Sequence, residues 1–593
     1  MNEIIQKQYK SLQHDLNILF AKCEVNVALS TFIRNEIKKL FIRIFSISLP
    51  NSLRERALYE KQLVQSIREH LKAYDLILRR TADQRNVFYL ANKNEFEEKT
   101  NEYMTKTDIF ELCHSIDEKN LQVTRDYLTT KMKSMNEQLQ TIFCGKQYKD
   151  IQKKLYITID KVELPYLYFL PDVSLKSNEL SVQPIVVTQH SATVRLAHFL
   201  DQLLRPIIQR QLESLTFENG ADFIRKLNNY IEQPGYHLRS TTNFVTITIS
   251  NFYSIVDHDT MLLALQDFLM DPCRMPTIEN ISIGKIFRLT NLFLRHNRFY
   301  YDHKIYRFIK GSPTSFPVTE TLATMYILPW LKSLFRQPVL EKEFYGRNQF
   351  FLTWNKTNTE FFQMIKMIRN QSMDIHLDIK IDSNVQFLHA YIENQNGTFY
   401  SRVDHDSMIR QKYTLPYVIS NSKIAHSHWL RSSLIQAVRY CTLVDHFNQE
   451  RIYLEMTCLA NGYSLEFIEK RINHFFTHFD AISLRSVLDQ QVYKKLRLHL
   501  FNFISEQRRI LKVNRELQPK KQRFRLSYLY EFGPKRKFNQ ELQNILLTSL
   551  NPSNPSSNIN KICVRLTTKL QHSLNALLSE QKPFHPLLHE KRI

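Results

Sequence analysis

The sequence predicts an α+β protein made of several packed units. Three observations predict it. The chain to about Leu155 is rich in Glu, Lys, Gln and Leu and poor in Pro, the composition of helices with a charged outer face. NFVTITISNF alternates apolar and polar residues, the period of a strand. VQFLHAYIE and TFYSRV flank Asn396-Gly397, and an Asn-Gly pair supplies the positive φ of a hairpin turn. At 593 residues the chain is also too long for one ordinary core.

In chain order, residues 1–155 read as a helical N-terminal region, with apolar residues at helical intervals (Leu63, Ile67, Leu71, Leu76) among many charges. Such a helix can bind a protein partner or cover the unit that follows. From Tyr156 to Pro184 the character changes: KVELPYLYFLPDV and ELSVQPIVV are β-branched and aromatic, broken by proline, and read as short strands and edges. In NFVTITISNF, Val245, Ile247 and Ile249 fall on an apolar face and Thr246, Thr248 and Ser250 on a polar one. Asp257 and Asp259 precede the apolar run TMLLALQDFLM, where capping a helix start is their most economical role. A hairpin near 385–403 follows, then LRSSLIQAVRYCTLV and SLEFIEKRINHFF at helical spacing, and a polar, Pro-interrupted linker at 551–560. No internal repeat is visible.

Charge narrows the partner. The 80 Lys and Arg exceed the 58 Asp and Glu by 22, an excess that favours polyanions and so RNA or DNA over a neutral small molecule. Only 9 glycines occur, and neither GxxxxGK[ST] nor GxGxxG is present, which weighs against P-loop, kinase and dinucleotide enzymes. The seven cysteines are scattered without a Cys-x-x-Cys pair, as expected of reduced, packed thiols. The start MNEIIQKQYK lacks an apolar signal core, and no stretch has the length of a spanning helix; the expectation is a soluble intracellular protein with no membrane contact. Pro534-Lys535-Arg536-Lys537 has the make-up of a nuclear import signal. His474 and His478 have the i, i+4 spacing of a zinc-protease helix, but Phe475 stands where that helix carries its Glu, so no metal site is expected there. His426 and His428 read as an exposed pair rather than ligands.

Five segments occur in an order that resembles the reverse transcriptases of Penelope-like retroelements: FLPDVSLK, SVQPIVV, TITISNFYSIVDHD, IYRFIKGSPTSFPVTETLATMYI and EFYGRNQFFLTWN. They are similar in turn to that family's LPKxHK segment, Arg-Pro-Ile strand, strand ending in an Asp, GxAMGSP loop and Tyr-x-Asp-Asp strand pair. LILRRTADQRNVFYLANKNEFEEKTNEYM, VQFLHAYIENQNGTFYSRV, RLSYLYEFGPKRKFNQEL and SEQKPFHPLL extend the resemblance over roughly residues 75–593. The resemblance implies a right-hand polymerase: helical region 1–155, fingers-like 156–240, palm-like 241–385, hairpin and thumb-like helices 386–480, and a basic, mostly helical C-terminal region 481–593. No Gly-Ile-Tyr and Tyr-Ile-Gly endonuclease module is visible.

The same alignment implies a degenerate centre. Nucleotidyl transfer needs two divalent ions held by carboxylates. Thr248 stands where the family has its first Asp, and Asn348 and Gln349 where it has the paired Asp residues; a hydroxyl and two amides are poor ligands for a hard cation. In the nucleotide loop, Lys310, Gly311, Ser315 and Pro317 are the counterparts, and Phe316 is expected to fill the space of the incoming nucleotide. In the fingers, Asp172 and Leu175 replace Lys and His, and Gln183 replaces Arg. No catalytic residue, no metal and no cofactor are therefore expected, with Mg²⁺ required only if displaced carboxylates such as Asp257, Asp259 or Glu320 keep polymerase activity alive. What remains is binding of RNA or an RNA–DNA duplex. Arg508, Arg509, Lys512, Arg515, Lys520, Lys521, Arg523, Arg525, Lys535, Arg536 and Lys537 face only Glu516 and Glu531 in the same stretch, a local charge of +9. Phe524, Tyr528, Tyr530 and Phe532 are interleaved, so phosphate contact and base stacking are both expected on one surface. A solvated basic face with packed rings, a divergent active polymerase and a decaying copy without function are the competing readings.

Overall fold

The computed structural model describes residues 2–22, 25–46, 50–82, 88–117, 119–172, 180–233, 238–249, 252–254, 256–270, 277–346, 350–369, 375–405, 412–416, 422–517, 522–529, 535–549 and 562–569. The first third runs α1 (Asn2–Lys22), α2 (Val27–Phe45), α3 (Asn51–Ala73), the antiparallel pair β1 (Leu76–Arg80) and β2 (Phe88–Asn92), α4 (Lys93–Lys106), β3 (Phe110–Ser115), α5 (Leu121–Ile142) and α6 (Lys149–Leu155). Asn26 and Asn92 start α2 and α4 by accepting backbone N–H bonds. The expectation of a purely helical region 1–155 is corrected by these three strands. The partner of β3 lies almost two hundred residues further on, so no local pattern announces the pairing.

The middle of the chain continues with β4 (Tyr166–Asp172), β5 (Ser181–Val187), α7 (Val194–Leu212), α8 (Gly220–Ile231), β6 (Asn243–Ile249), α9 (His258–Leu269), the short β7 (Thr277–Ile278) and β8 (Ile281–Ser282), and α10 (Ile283–Arg295). Then come β9 (Arg298–Tyr301), β10 (Lys304–Phe308), α11 (Pro317–Phe335), β11 (Tyr345–Gly346), β12 (Phe350–Trp354), α12 (Asn358–Arg369) and β13 (Leu377–Asp382). One sheet has the order β3-β10-β9-β4-β5 and joins the N-terminal region to the expected fingers. The other has the order β11-β12-β6-β13, with every pair antiparallel. Chain order puts helices between β6 and β11 and one helix between β12 and β13, which is the split β-α-β arrangement.

Both faces of this second sheet are buried. Val245, Ile247 and Ile249 join Phe350, Leu352 and Trp354 in a core with α7, α9, α10 and α11. α11 is apolar nearly all round and buried over most of its surface, with Glu320, Pro329 and Lys332 exposed. On the other face Phe244 and Phe351 meet α8 and the hairpin that follows, with Phe223, Phe351 and Phe387 in mutual ring contact. Thr246, assigned by alternation to a polar face, is therefore buried, and Thr248 alone of that pair is exposed.

The hairpin near 385–403 is a three-stranded meander of β14 (Asn384–Phe387), β15 (Ala390–Gln395) and β16 (Thr398–Val403). Its second turn is at Asn396–Gly397, with φ of 51° and 88°. The first, at Leu388–His389, has φ of 50° and 63° without an Asn or Gly to favour them. Helices α13 (Ser422–Tyr440), α14 (Val444–Ala460), α15 (Leu465–His478) and the long α16 (Gln490–Leu517) share the core of this hairpin.

The remaining elements are β17 (Gln522–Leu529), α17 (Lys535–Ser549) and β18 (Ile562–Lys569), with β17 and β18 paired in parallel. They build a separate core with the first two helices: Leu12, Leu16, Phe41 and Ile44 against Leu526, Tyr528, Phe538 and Leu542. Asp15 accepts the Ser527 backbone N–H at 2.7 Å, and Arg43 pairs with Glu541. α1 and α2 thus pack on the other end of the chain, and the described residues of 481–593 are mostly helical, in α16 and α17, with the strands β17 and β18 added. Among the described residues no helix is long and apolar enough to cross a membrane.

Two outcomes follow from these cores. Phe41 is fully buried between Tyr9, Tyr528 and Phe538, so Phe41→Ala should cost about 3–5 kcal/mol in the module of α1, α2, β17, α17 and β18, read as early loss of amide protection in both chain ends. His296 sits between α10 and β9 with its pKa lowered to about 4 by burial and then by Arg298, Lys131 and Arg307. A depressed imidazole is neutral when folded and takes up a proton when unfolded. Stability should therefore decline as pH falls from about 6.5 towards 4, by roughly 3 kcal/mol at most. His296→Gln should flatten that slope in denaturant titrations.

Candidate nucleic-acid interface

A cleft of about 580 Å³ opens where β6 ends and β12 begins, between α11 and the hairpin. Thr248 and Ile249 from β6, Phe350 from β12, Glu320 and Ile327 from α11, and His389 and Asp404 from the hairpin line it. The exposed Thr248 thus lies in the cleft. Its cross-strand neighbour on β13 is the exposed Asp378. Asn348 and Gln349 fall outside the described residues, between β11 and β12, whose antiparallel pairing is that of the expected strand pair. The cleft carboxylates are Glu320 and Asp404, and among the described residues no three His, Cys, Asp or Glu side chains converge as a metal site. A hydroxyl with two dispersed carboxylates does not fit a pair of hard cations, which need several charged oxygens each.

The other displaced carboxylates are occupied. Asp257 caps α9, accepting the Asp259 and Thr260 backbone N–H groups at 3.0 Å each and the Thr260 hydroxyl at 2.7 Å. The Thr260 N–H bond holds its carboxyl below the usual range. Asp259 pairs with Arg295. Neither lines the cleft.

The loop before α11 is fixed by its own side chains. Lys310 is half-buried and forms a β-bridge with Asp257. Gly311 has φ +59°, donates its N–H to the Val256 carbonyl at 2.9 Å and accepts from His258 Nε2 at 2.8 Å. A Cβ on Gly311 would stand 2.0 Å from the Tyr253 carbonyl oxygen, so glycine is required by both φ and space. Ser312 and Thr319 share a 2.6 Å hydroxyl bond, and Ser315 reaches Thr188 at the end of β5 at 2.7 Å. Pro317 opens α11, where its missing N–H costs nothing. Its carbonyl accepts from Arg205, which also chelates Asp201. Phe316 does not fill the nucleotide space: it turns into the core against Phe293 at 5.4 Å, because α7, α10 and α11 leave an apolar slot there.

Among the residues expected in the fingers, Asp172 ends β4, where its carbonyl accepts from the Ser181 hydroxyl, and the exposed Gln183 stands opposite Leu170. Leu175 lies outside the described residues. The basic stretch is split over three elements. Arg508 pairs with Glu218 and Arg509 with Glu506 at 2.9 Å, while Arg525 is exposed on β17. The side chains of Lys512, Arg515, Lys520, Lys521, Arg523, Lys535, Arg536 and Lys537 are outside the described residues, as are Tyr530 and Phe532. Tyr528 is fully buried with its hydroxyl on Asn539, and Phe524 is half-buried in the same core. These two rings are packed, not offered for stacking, because β17 needs them to cover α1 and α2.

Sequence reasoning missed Asp404 and His389, which the strand-turn pattern near 385–403 includes or adjoins without showing that they face the end of β6, and Asp378, whose strand β13 was not read from the sequence. It also read His426 as exposed, whereas it bonds the Tyr463 hydroxyl and the Pro416 carbonyl. Cys441 and Cys458 are buried as expected, and burial pushes their thiols up to about 12 and about 11. Cys144 is exposed, contrary to the expectation of packed thiols.

The family described as animal helix-turn-helix domain matches residues 424–473. That span covers α13, α14 and the start of α15. Between α14 and α15 the chain reverses at Gly462, φ +81°, and Ser464 caps α15 by accepting the Phe467 N–H. No curated protein matches the chain. Among solved structures, telomerase from Candida albicans in complex with a fragment of telomeric RNA is 9% identical with a TM-score of 0.39, covering 61% of this chain and 66% of that one. Apo telomerase from Candida tropicalis is 10% identical with a TM-score of 0.37, covering 82% and 84%. The RNA-dependent RNA polymerase of BmCPV at its quiescent state is 10% identical with a TM-score of 0.32, covering 57% of this chain and 31% of that one. The chain thus spans about two thirds of the first telomerase and under a third of the viral enzyme. Likenesses at these identities and TM-scores assign neither family nor activity.

Gly311→Ala should destabilise the protein by about 2–4 kcal/mol, the upper part of the range for single substitutions, with loss of protection at the start of α11 in hydrogen exchange.

Proposed function

We propose that this chain is a reverse-transcriptase-like protein of Penelope-like descent that grips RNA or an RNA–DNA duplex without extending it. The observation that carries the reading is Thr248. An uncharged, exposed side chain stands at the end of the central strand, in the cleft where the resemblance puts the first metal-binding Asp. The split β-α-β sheet around it supports a palm-like role, and the excess of 22 positive charges supports a polyanionic partner. Asn348 and Gln349 extend the same loss by sequence.

A second reading has one observation in its favour. Asp378 lies directly across from Thr248, and Glu320 and Asp404 line the same cleft, so displaced carboxylates exist for a divergent RNA-directed DNA polymerase. Primer extension on an RNA template with Mg²⁺ or Mn²⁺ separates the two. The expected result is no product above a no-protein control, together with duplex binding that weakens at least tenfold between about 50 and about 200 mM salt as counterions are released. Extension would establish the second reading. Failure of both extension and binding would leave a decayed copy.

A further inference from the structure

A cavity of about 190 Å³ lies between α13 and α15, lined by Ser427, His428, Arg431, Arg471 and His474 over a floor of Leu430 and Phe475. No carboxylate lines it. Helical spacing explains the convergence: positions 427, 428 and 431 share one face of α13, and 471 and 474 share one face of α15. Two guanidinium groups, two imidazoles and a hydroxyl therefore point into one recess.

These arginines differ from those that are held by an acid. Arg205, Arg225, Arg295, Arg307, Arg451, Arg508 and Arg509 each pair with an acid. Arg431 instead lies over the Phe479 ring at 5.6 Å and Arg471 over the Phe467 ring at 5.3 Å. Among the described residues neither has a carboxylate within ion-pair distance. A ring contact uses the flat face of a guanidinium and leaves its N–H edge free to donate. Glu466 and Glu469 are exposed on α15 but do not line the cavity. The neighbouring His478 has its pKa lowered, by desolvation first and then by Arg431, His474 and His499, which marks the surroundings as cationic.

We propose that this recess holds a backbone phosphate of a nucleic-acid duplex, with Arg431 and Arg471 as a two-armed clamp and His428, His474 and Ser427 as further donors. Forked N–H groups match phosphate oxygens better than a point charge does. The apolar floor beside the cations fits a sugar–phosphate unit, where a free ion would be better served by polar walls all round. The proposal deepens the nucleic-acid-binding reading and rests on it. It also moves a binding determinant away from the basic stretch, whose described arginines on α16 are already paired with glutamates.

The test is fluorescence titration of a labelled RNA–DNA duplex against the full chain at several salt concentrations, using wild type, Arg471→Gln, Arg431→Lys and the double variant Arg431→Gln/Arg471→Gln. Lys470→Gln, one residue outside the recess on the same helix, serves as the charge-matched control. Thermal melts check folding; Arg471→Gln alters only an exposed side chain, and Arg431→Lys keeps the charge over Phe479. The double variant should bind roughly tenfold more weakly at low salt, with the slope of log affinity against log salt shallower by about one. Arg471→Gln and Arg431→Lys should each fall part of that way, and Lys470→Gln should stay within twofold. A wild type that binds and a double variant that matches it in affinity and slope overturn the proposal, as does a control that loses as much as the variants. A wild type that binds no duplex sinks the functional reading itself. In that case inorganic phosphate binding that disappears in the double variant identifies an anion site of another kind and overturns the nucleic-acid assignment.

Discussion

The strand β6 is the constraint on which the architecture rests. Val245, Ile247 and Ile249 belong to the core of α7, α9, α10 and α11, and Phe244 on the opposite face to the core of α8, the hairpin and α13–α16, with Thr246 buried beside it. Because the two faces belong to different cores, a register slip of one residue would place Val245 and Ile247 where Phe244 and Thr246 belong and disrupt both at once. The strand is thereby fixed in position, and Thr248, at the point where covering ends, is presented to the cleft. Gly220 adds a close approach on the second face: a Cβ there would stand 2.4 Å from the Leu388 carbonyl and the Tyr440 hydroxyl. That contact ties α8, the turn at Leu388–His389 and α13 into one block.

A cleft built this way does not depend on charged side chains for its frame. The apolar pattern that positions β6, β12 and α11 has no need of the metal-binding carboxylates, and acids at such a site repel one another until a cation neutralises them. On the proposed reading a hydroxyl in place of such an acid relieves that repulsion, so an uncharged centre and a retained fold are compatible on physical grounds. The loop at Gly311 illustrates the separation. Its glycine, the Ser312–Thr319 bond and Pro317 serve the backbone path into α11, and they are explained without any nucleotide.

Much of the fold was legible where a signal is local. The strand at NFVTITISNF, the Asn396–Gly397 turn, the Asp257 cap and helices over most of LRSSLIQAVRYCTLV and SLEFIEKRINHFF appear where expected, since each depends on neighbours in sequence. What escaped was non-local or broke a local rule. The strand β3 pairs with β10, and β17 with β18, across long stretches of chain. Leu388 and His389 adopt left-handed conformations that no turn rule assigns to them. At the site, alternation put Thr248 on the polar side of its strand and it is exposed there, whereas the cavity of Arg431 and Arg471 arises from two helices whose spacing reveals a face but not its neighbour. The expectation for Tyr528 failed for a related reason: aromatic residues among charges read as an exposed binding strip until a second layer, here α1 and α2, is known to cover one side.

That second layer also imposes an order on biogenesis. Asp15 and Ser527, which share a hydrogen bond, are 512 positions apart, so on the ribosome α1 and α2 emerge roughly 25–100 s before the strand that completes their core, at ordinary synthesis rates of about 5–20 residues per second. Throughout that interval the apolar side of the pair, including Leu16, Phe41 and Ile44, has no covering. The nascent chain therefore exposes apolar surface early, the kind of surface that promotes aggregation before folding is complete. A message broken before β17 yields a product with a sound middle and a permanently adhesive front end.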